Sequence, residues 1–233
     1  MRHAFLIIAH NNWNQLKKLI QLLDAENHDI YIHIDKKSKD FNKKEFLSIT
    51  RKSKLYIFQE YKVFWGGFSQ VHVETYLFEK AHALKYDYYH LISGADLPLK
   101  SNKEIDAFFE QHKGTEFILY DEDKLKNDPE ITRRAKYYHF LQNYRRRYTQ
   151  KWKNEFFTFL ERVSLVAQIM FRVNRVKKLD WTIKYGSNWV SITDDLVAEI
   201  IKQKDKVQKV FSCTNCADEL FVQTVAYNCG FKN

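Results

Sequence analysis

At 233 residues the chain can form one large domain or two small ones, and a composition of 45% hydrophobic and 16% aromatic residues gives it a sizeable core. Only 6 Gly and 2 Pro argue against long flexible linkers and for a high helix content. A net charge of +9 favours an anionic partner, such as a nucleotide diphosphate, nucleic acid or an acidic lipid surface, without choosing among them.

The first apolar run, His3–Ala9, reads as a buried strand and is too short for a signal-peptide core. Nowhere does the chain reach the roughly 18 apolar residues expected of a membrane span. His10-Asn11-Asn12 is a turn, with Asn12 placed to cap a helix, Trp13–Leu23, in which Leu16, Leu19, Ile20 and Leu23 recur at helical spacing. A second strand at 30–34 ends in Asp35-Lys36-Lys37, and Leu55–Phe58 is a third. Strand, helix, strand in that order predicts the start of a parallel α/β sheet. The paired glycines Gly66 and Gly67 mark a loop, after which Ser69 opens a long helix to about Lys85.

Residues 88–105 are the stretch around which the chain is organised. A strand at 88–92 runs into Ser93-Gly94-Ala95, a small turn where backbone or ligand can come close. Asp96 then sets one carboxylate at the carboxyl end of that strand. Pro98 ends strand pairing, and Ser101 or Asn102 can cap a helix at 103–111. Ligands of open α/β sheets bind outside the carboxyl ends of the strands, so this is a candidate site. The competing reading is an Asp that only holds a turn. A fifth strand is expected at 116–120.

Composition shifts after Tyr120. Residues 121–130 form an acidic loop, and Arg133, Arg134, Lys136, Arg145, Arg146 and Arg147 then crowd a helical stretch with Tyr137, Tyr138, Tyr144 and Tyr148. The next helix, 156–173, carries Phe156, Phe159, Leu160, Val163, Val166, Ile169, Met170 and Val173, with Arg172, Arg175, Lys177 and Lys178 at its end. Packing on the core is the preferred reading of that apolar face. The alternative is peripheral contact with an acidic membrane surface. Residues 181–192 return to strand character, broken at Gly186-Ser187, and Thr193 or Asp194 can cap a helix to Lys202. Asn215 is placed to cap a last helix, 217–227, with Asp218 and Glu219 in its first turn, where the helix dipole favours carboxylates. On spacing alone Glu219 is such a helix-start acid. Cys213, Cys216 and Cys229 lack the further ligands of a zinc site and read as reduced thiols, as in a cytoplasmic protein.

Five stretches together resemble one family. They are Ile32-His33-Ile34-Asp35-Lys36-Lys37, Trp65-Gly66-Gly67-Phe68-Ser69, Ser93-Gly94-Ala95-Asp96-Leu97-Pro98-Leu99-Lys100, Tyr185-Gly186-Ser187-Asn188-Trp189 and Ala217-Asp218-Glu219. In order and rough spacing they resemble the core-2/I-branching β-1,6-N-acetylglucosaminyltransferases, a family that also contains the protein O-xylosyltransferases. The resemblance is to a bacterial-type member of it. It implies a single α/β, GT-A-like domain over residues 1–233: a Rossmann-like nucleotide-sugar sheet flanked by helices, with a basic helical insertion at about 121–179. It further implies inverting transfer of a sugar, N-acetylglucosamine or xylose, from a UDP-sugar to a glycan, glycolipid or other hydroxyl acceptor, as in polysaccharide synthesis.

The resemblance also implies that no divalent metal or other cofactor is needed. Most GT-A enzymes hold a metal with a D-x-D where this chain has Asp96 alone, and in this family basic side chains stabilise the leaving diphosphate instead. Glu219 falls on the family's catalytic base, the Glu of a Pro-Asp-Glu motif in which Ala217 here replaces the Pro. His10, Asp35, Trp65, Ser69, Gly94 and Asp96 fall on the nucleotide-sugar side. Arg133, Arg134, Lys136 and Trp189 are candidates for acceptor contact. The family's diphosphate-holding basic pair and acceptor-holding aromatic pair lie well beyond the catalytic Glu, whereas this chain ends at Asn233, fourteen residues past Glu219, so a fragment or shortened member is expected. Two alternatives stand beside this reading. One is a metal-dependent glycosyltransferase using Asp121 and Asp123; the other is a basic nucleic-acid-binding protein, although no known module pattern appears.

Overall fold

A computed structural model describes residues 1–144 and 150–231. Strands β1 (His3–Ala9), β2 (His28–Ile34), β3 (Leu55–Phe58) and β4 (Tyr88–Ser93) run parallel, and β5 (Val190–Thr193) lies antiparallel to β4. The sheet order is β3-β2-β1-β4-β5, a mostly parallel α/β sheet as expected. The order of strand addition reverses between β1 and β4: β2 and β3 are added on one side of β1 and β4 on the other. That junction is a topological switch point, where the loops diverge and leave a crevice.

Strands buried on both faces favour apolar residues at every position; β1 has nearly that, while β2 also buries His28, Asp29 and His33. Phe5, Ile7, Ala9, Ile30, Ile32 and Ile34 face helix α1 (Trp13–Leu23), which turns Leu16, Leu19, Ile20 and Leu23 onto them. Ala4, Leu6, Tyr31, Tyr89 and Leu91 join the opposite core with α2 (Ser69–His82), α7 (Asp194–Lys202), α8 (Lys204–Phe211) and α9 (Phe221–Asn228). Each Leu, Ile or Phe among them contributes about 1.5–3 kcal/mol on burial.

Ser101 forms a capping box with Glu104 at the start of α3 (Asn102–Gln111), and Thr193 caps α7 by accepting from the Leu196 N–H. Other local expectations are corrected. Asn12 adopts a left-handed backbone at the start of α1 and makes no side-chain cap. Residues 116–120 are not a strand: Phe117 makes one bridge to Ser191, and the Glu116 carboxylate takes the Thr193 N–H at 2.9 Å, so the segment is held at one point rather than along a ladder. Of the 181–192 stretch only Val190–Thr193 pairs. Residues before it run past α9 instead, Lys184 N–H reaching Thr224 Oγ1 at 3.0 Å and Thr182 N–H reaching Asn228 Oδ1 at 2.9 Å.

The largest correction concerns the region between the sheet's last two strands. It holds α4 (Glu122–Asn127), α5 (Pro129–Lys136) and α6 (Lys151–Met170). Arg145, Arg146, Arg147 and Tyr148 lie outside the described residues. Core packing was the expectation for the apolar face of α6, but that face is outward: Phe159 is 61% exposed, Val163 50% and Met170 76%. The side chains that α6 buries are Glu161 and Gln168. The reason lies in the segment beneath. Tyr138 donates its N–H to Gln168 Oε1 at 2.8 Å and receives from Gln168 Nε2 at 2.9 Å, while His139 Nδ1 donates to Glu161 Oε1 at 2.9 Å. The polar edge of the helix satisfies polar groups of this segment, so the apolar edge turns away. No helix among the described residues is long and apolar enough to cross a membrane.

Candidate active site

The carboxyl ends of β1, β2 and β4 gather most of the residues expected on the nucleotide side. His10 follows β1 and is exposed, its carbonyl accepting from Ser38 Oγ at 2.7 Å. Asp35 follows β2 and is buried. Its carboxylate accepts the Lys37 N–H at 2.9 Å and the Val63 N–H at 3.3 Å and pairs with Lys37 Nζ at 3.3 Å, so it ties two loops together. Asp96 accepts the Ser93 N–H at 2.8 Å, the turn-holding geometry that competed with a ligand role. Gly94 is needed for packing: a Cβ there would stand 2.6 Å from Ala9 Cβ, so the close approach is by β1 itself. At this switch point a hollow of about 520 Å³ opens, lined by Asn12, Trp13, Asn14, Gln15 and Ala95.

A second group lies around Glu219. The expected helix 217–227 is instead a short 3-10 turn, Ala217–Glu219, followed by α9. Asn215 does not cap it. Cys216 precedes the turn in a left-handed conformation, its N–H on the Gly66 carbonyl at 2.9 Å. The glycine loop before α2 thereby reaches the acid-bearing turn. Trp65 in that loop is exposed, and Ser69 Oγ accepts the Phe64 N–H at 2.8 Å, so Ser69 shapes the loop.

Glu219 is partly exposed and accepts a hydrogen bond from Arg134 of α5. This brings together the proposed base and one proposed acceptor residue. Burial pulls the Arg134 guanidinium down, but the Glu219 bond and the nearby Cys216, Glu219 and Tyr185 outweigh it and hold it above its ordinary value. Arg133 points elsewhere, pairing with Glu130 at 2.6 Å, and Lys136 lies over the Tyr137 ring at 5.3 Å. The Glu219 carbonyl receives the Gly186 N–H at 3.0 Å. Gly186 tolerates no side chain, because a Cβ would fall 1.7 Å from the Leu119 carbonyl oxygen. The antiparallel register Leu91↔Val190 places Trp189, half exposed, at the carboxyl edge of β4.

Beneath Glu219 sits a polar group that joins Asp218 of the Ala217-Asp218-Glu219 stretch to Gln70 and Glu74, two residues that the motif reading did not single out. Gln70 Oε1 accepts the Gly66 N–H at 2.6 Å and its Nε2 donates to Asp218 Oδ2 at 3.0 Å. Burial, then the charge of Glu219, pushes Asp218 up to about 6, against the opposing pull of Arg134 and Gln70. Glu74 of α2 is fully buried, and neither of its carboxyl oxygens has a hydrogen-bond partner. Burial and then the charge of Asp218 push it well above the usual carboxylate range, with only partial opposition from the Asn188 side chain. The sequence did carry a signal for Glu74. It shares a helical face with Val71, Leu77 and Phe78, all buried, so its acid falls on the core side of α2.

In the acidic stretch after residue 120, two of the three acids at 121–123 have partners within the fold. Asp121 caps α4 by accepting the Lys124 N–H at 2.9 Å, Glu122 pairs with Lys184, and Asp123 is exposed. Among the described residues, the group of side chains close enough to hold a metal ion is His3, His28 and Asp106. It lies at the amino-terminal edge of β1 and β2, away from these loops. The three cysteines are free.

A model of the Core-2/I-branching enzyme family matches residues 3–233. Xylosyltransferase 1 of Homo sapiens is 25% identical over 126 residues, covering 51% of this chain and 13% of that protein. Xylosyltransferase sqv-6 of Caenorhabditis briggsae is 24% identical over 233 residues, covering 94% of this chain and 25% of that protein. The chain thus spans a quarter or less of the length of these relatives. Among solved structures, mouse xyloside xylosyltransferase 1 in its apo form aligns with a TM-score of 0.40 at 9% identity, over 97% of this chain and 82% of that one.

Proposed function

The chain belongs to the Core-2/I-branching enzyme family, and from that premise we propose that it is an inverting, metal-independent glycosyltransferase. It moves a sugar, N-acetylglucosamine or xylose, from a UDP-sugar to a hydroxyl of a glycan or glycolipid. The observation that carries this reading is Glu219, a partly exposed carboxylate held by Arg134 at the loop edge of the sheet. In a single displacement the acceptor oxygen bonds to the anomeric carbon as the bond to the diphosphate oxygen breaks. The acceptor proton passes to Glu219. Charge on the sugar ring develops as in glycoside hydrolysis.

Arg134 orients Glu219 before the acceptor arrives, and the Gln70–Asp218 bond with the Gly186–Glu219 backbone bond fixes the turn that carries it. The hollow between β1 and β4 is the proposed donor side, since switch-point crevices are where such folds take nucleotides. Asp35 and Asp96 act there by shaping loops. The test is Glu219→Gln, which keeps the shape and removes the proton acceptor. Turnover should fall about a hundredfold to ten-thousandfold, with UDP-sugar affinity and melting temperature nearly unchanged. Transfer should also persist in excess EDTA. A Gln variant that keeps most of its turnover would sink the assignment, and full loss in EDTA restored by manganese would favour Asp121 and Asp123.

A further inference from the structure

The apolar face of α6 has no partner within the described residues. Trp152, Phe156, Phe159, Val163, Val166 and Met170 follow one another at intervals of four and three, which sets them in a single stripe along the helix, and all six are exposed. A 20-residue helix is about 30 Å long, so the stripe is far longer than one side-chain contact needs. Such a patch on a folded surface marks an interaction site. The helix is not loosely attached. Its Glu161 and Gln168 are buried and bonded to the segment below, so the outward orientation is fixed by the fold.

Charge says what covers the stripe. Lys151, Lys153, Arg162, Arg172, Lys177 and Lys178 border it or follow its end, all exposed or half exposed. From residue 150 to 178 the exposed acid is Glu155, and Glu161 is buried against His139. A second copy laid along this stripe would bring cations against cations with one carboxylate per chain to offset them. An anionic surface meets both features at once. A helix with an aromatic and aliphatic stripe between basic borders lies in the plane of a membrane interface, its apolar side sunk about 5–10 Å toward the acyl chains. Cations beside the stripe add attraction to acidic headgroups.

We propose that α6 docks this chain on the surface of an anionic lipid bilayer, lying in the interface without crossing it. The inference stands apart from the transferase reading, because it uses neither Glu219 nor the sugar chemistry. α5 and the segment 137–144 join this docking face to Arg134, so the site would be held near the bilayer.

Co-sedimentation of the full chain with phosphatidylglycerol-containing vesicles and with pure phosphatidylcholine vesicles tests it. Binding should favour the anionic vesicles by at least about tenfold and weaken by a similar factor as salt is raised well above physiological ionic strength. The double change Phe159→Glu with Val163→Glu should lower anionic-vesicle binding by about tenfold or more, and Phe159→Ser should lower it less, with far-ultraviolet circular dichroism unchanged in both. The milder variant keeps the test open should the double one misfold. Equal binding to both vesicle types overturns the proposal, as does binding that survives both changes. A dimer in sedimentation velocity that Phe159→Ser dissociates, with no vesicle binding, assigns the stripe to a second copy and overturns it as well.

Discussion

Glu74 and Glu161 are both buried glutamates on helices, yet they are buried in opposite senses. Glu161 has His139 Nδ1 on one oxygen at 2.9 Å and the Leu141 N–H on the other at 3.2 Å. Neither oxygen of Glu74 has a partner within hydrogen-bond geometry, and the nearby Asn188 side chain offsets only part of the effect of burial and of the Asp218 charge. A paired buried acid is explained by the fold, because it satisfies groups that would otherwise be orphaned. An unpaired one is a cost the fold alone does not repay. The difference separates the two halves of the molecule. α6 is fastened by its acid and free to offer an apolar face outward, whereas α2 carries its acid under the candidate catalytic turn. Departures from simple patterning concentrate where function is expected.

Removing the partner-bearing acid should have the largest effect. Glu161→Ala leaves His139 and the Leu141 N–H without their acceptor and should cost about 3–5 kcal/mol in urea unfolding. A loss below about 1 kcal/mol would mean that α6 is not fastened there. Next comes pH. Asp218 titrates near 3.8 when unfolded and at about 6 in the fold, so the folded state binds more protons in that window. The contribution of Asp218 to stability should therefore fall as pH rises from about 4 to 6, by roughly 3 kcal/mol, and level off above, against the rise contributed by His3 and His33, which burial pushes down to about 4. Glu74, shifted the same way, adds a loss of the same sign. The stability of Asp218→Asn relative to the unsubstituted chain should rise across this range by about the amount Asp218 loses; a difference that does not change with pH would mean that Asp218 is not shifted in the fold.

A smaller effect, of opposite sign, is expected for Glu74→Leu. Replacing an unsatisfied buried group by an apolar one of similar size should raise stability by about 1–3 kcal/mol, while turnover falls if the buried acid serves the site. Destabilisation on the scale of Glu161→Ala would erase the contrast between the two acids. The smallest change is expected on the outward face of α6, where Phe159→Ser or Val163→Ser should shift stability by no more than about 0.5 kcal/mol. Side chains of this kind in a core would cost several times more on truncation. Chemical denaturation of each variant decides between an open face and a covered one.

Local sequence determined much of this protein. Runs such as Phe5 to Ile8 can form little other than buried strands, the Leu16–Leu23 spacing fixes one face of α1, and Ser101 and Thr193 cap their helices through atoms three residues away. The ordered motifs marked Glu219 as well, because a family pattern is written in the chain. What only the tertiary structure decided depends on groups far apart in sequence. Arg134 and Glu219 are 85 residues apart, and Gln70 and Asp218 are 148. The strand expected at 116–120 failed because its partner, Ser191, meets it at one point. The apolar face of α6 reads as core by periodicity, and the periodicity is real. Periodicity gives the width of a face, but its direction is set by what lies beneath. Here the groups beneath are polar, and burying Glu161 and Gln168 against them satisfies hydrogen bonds that an apolar face would have left broken.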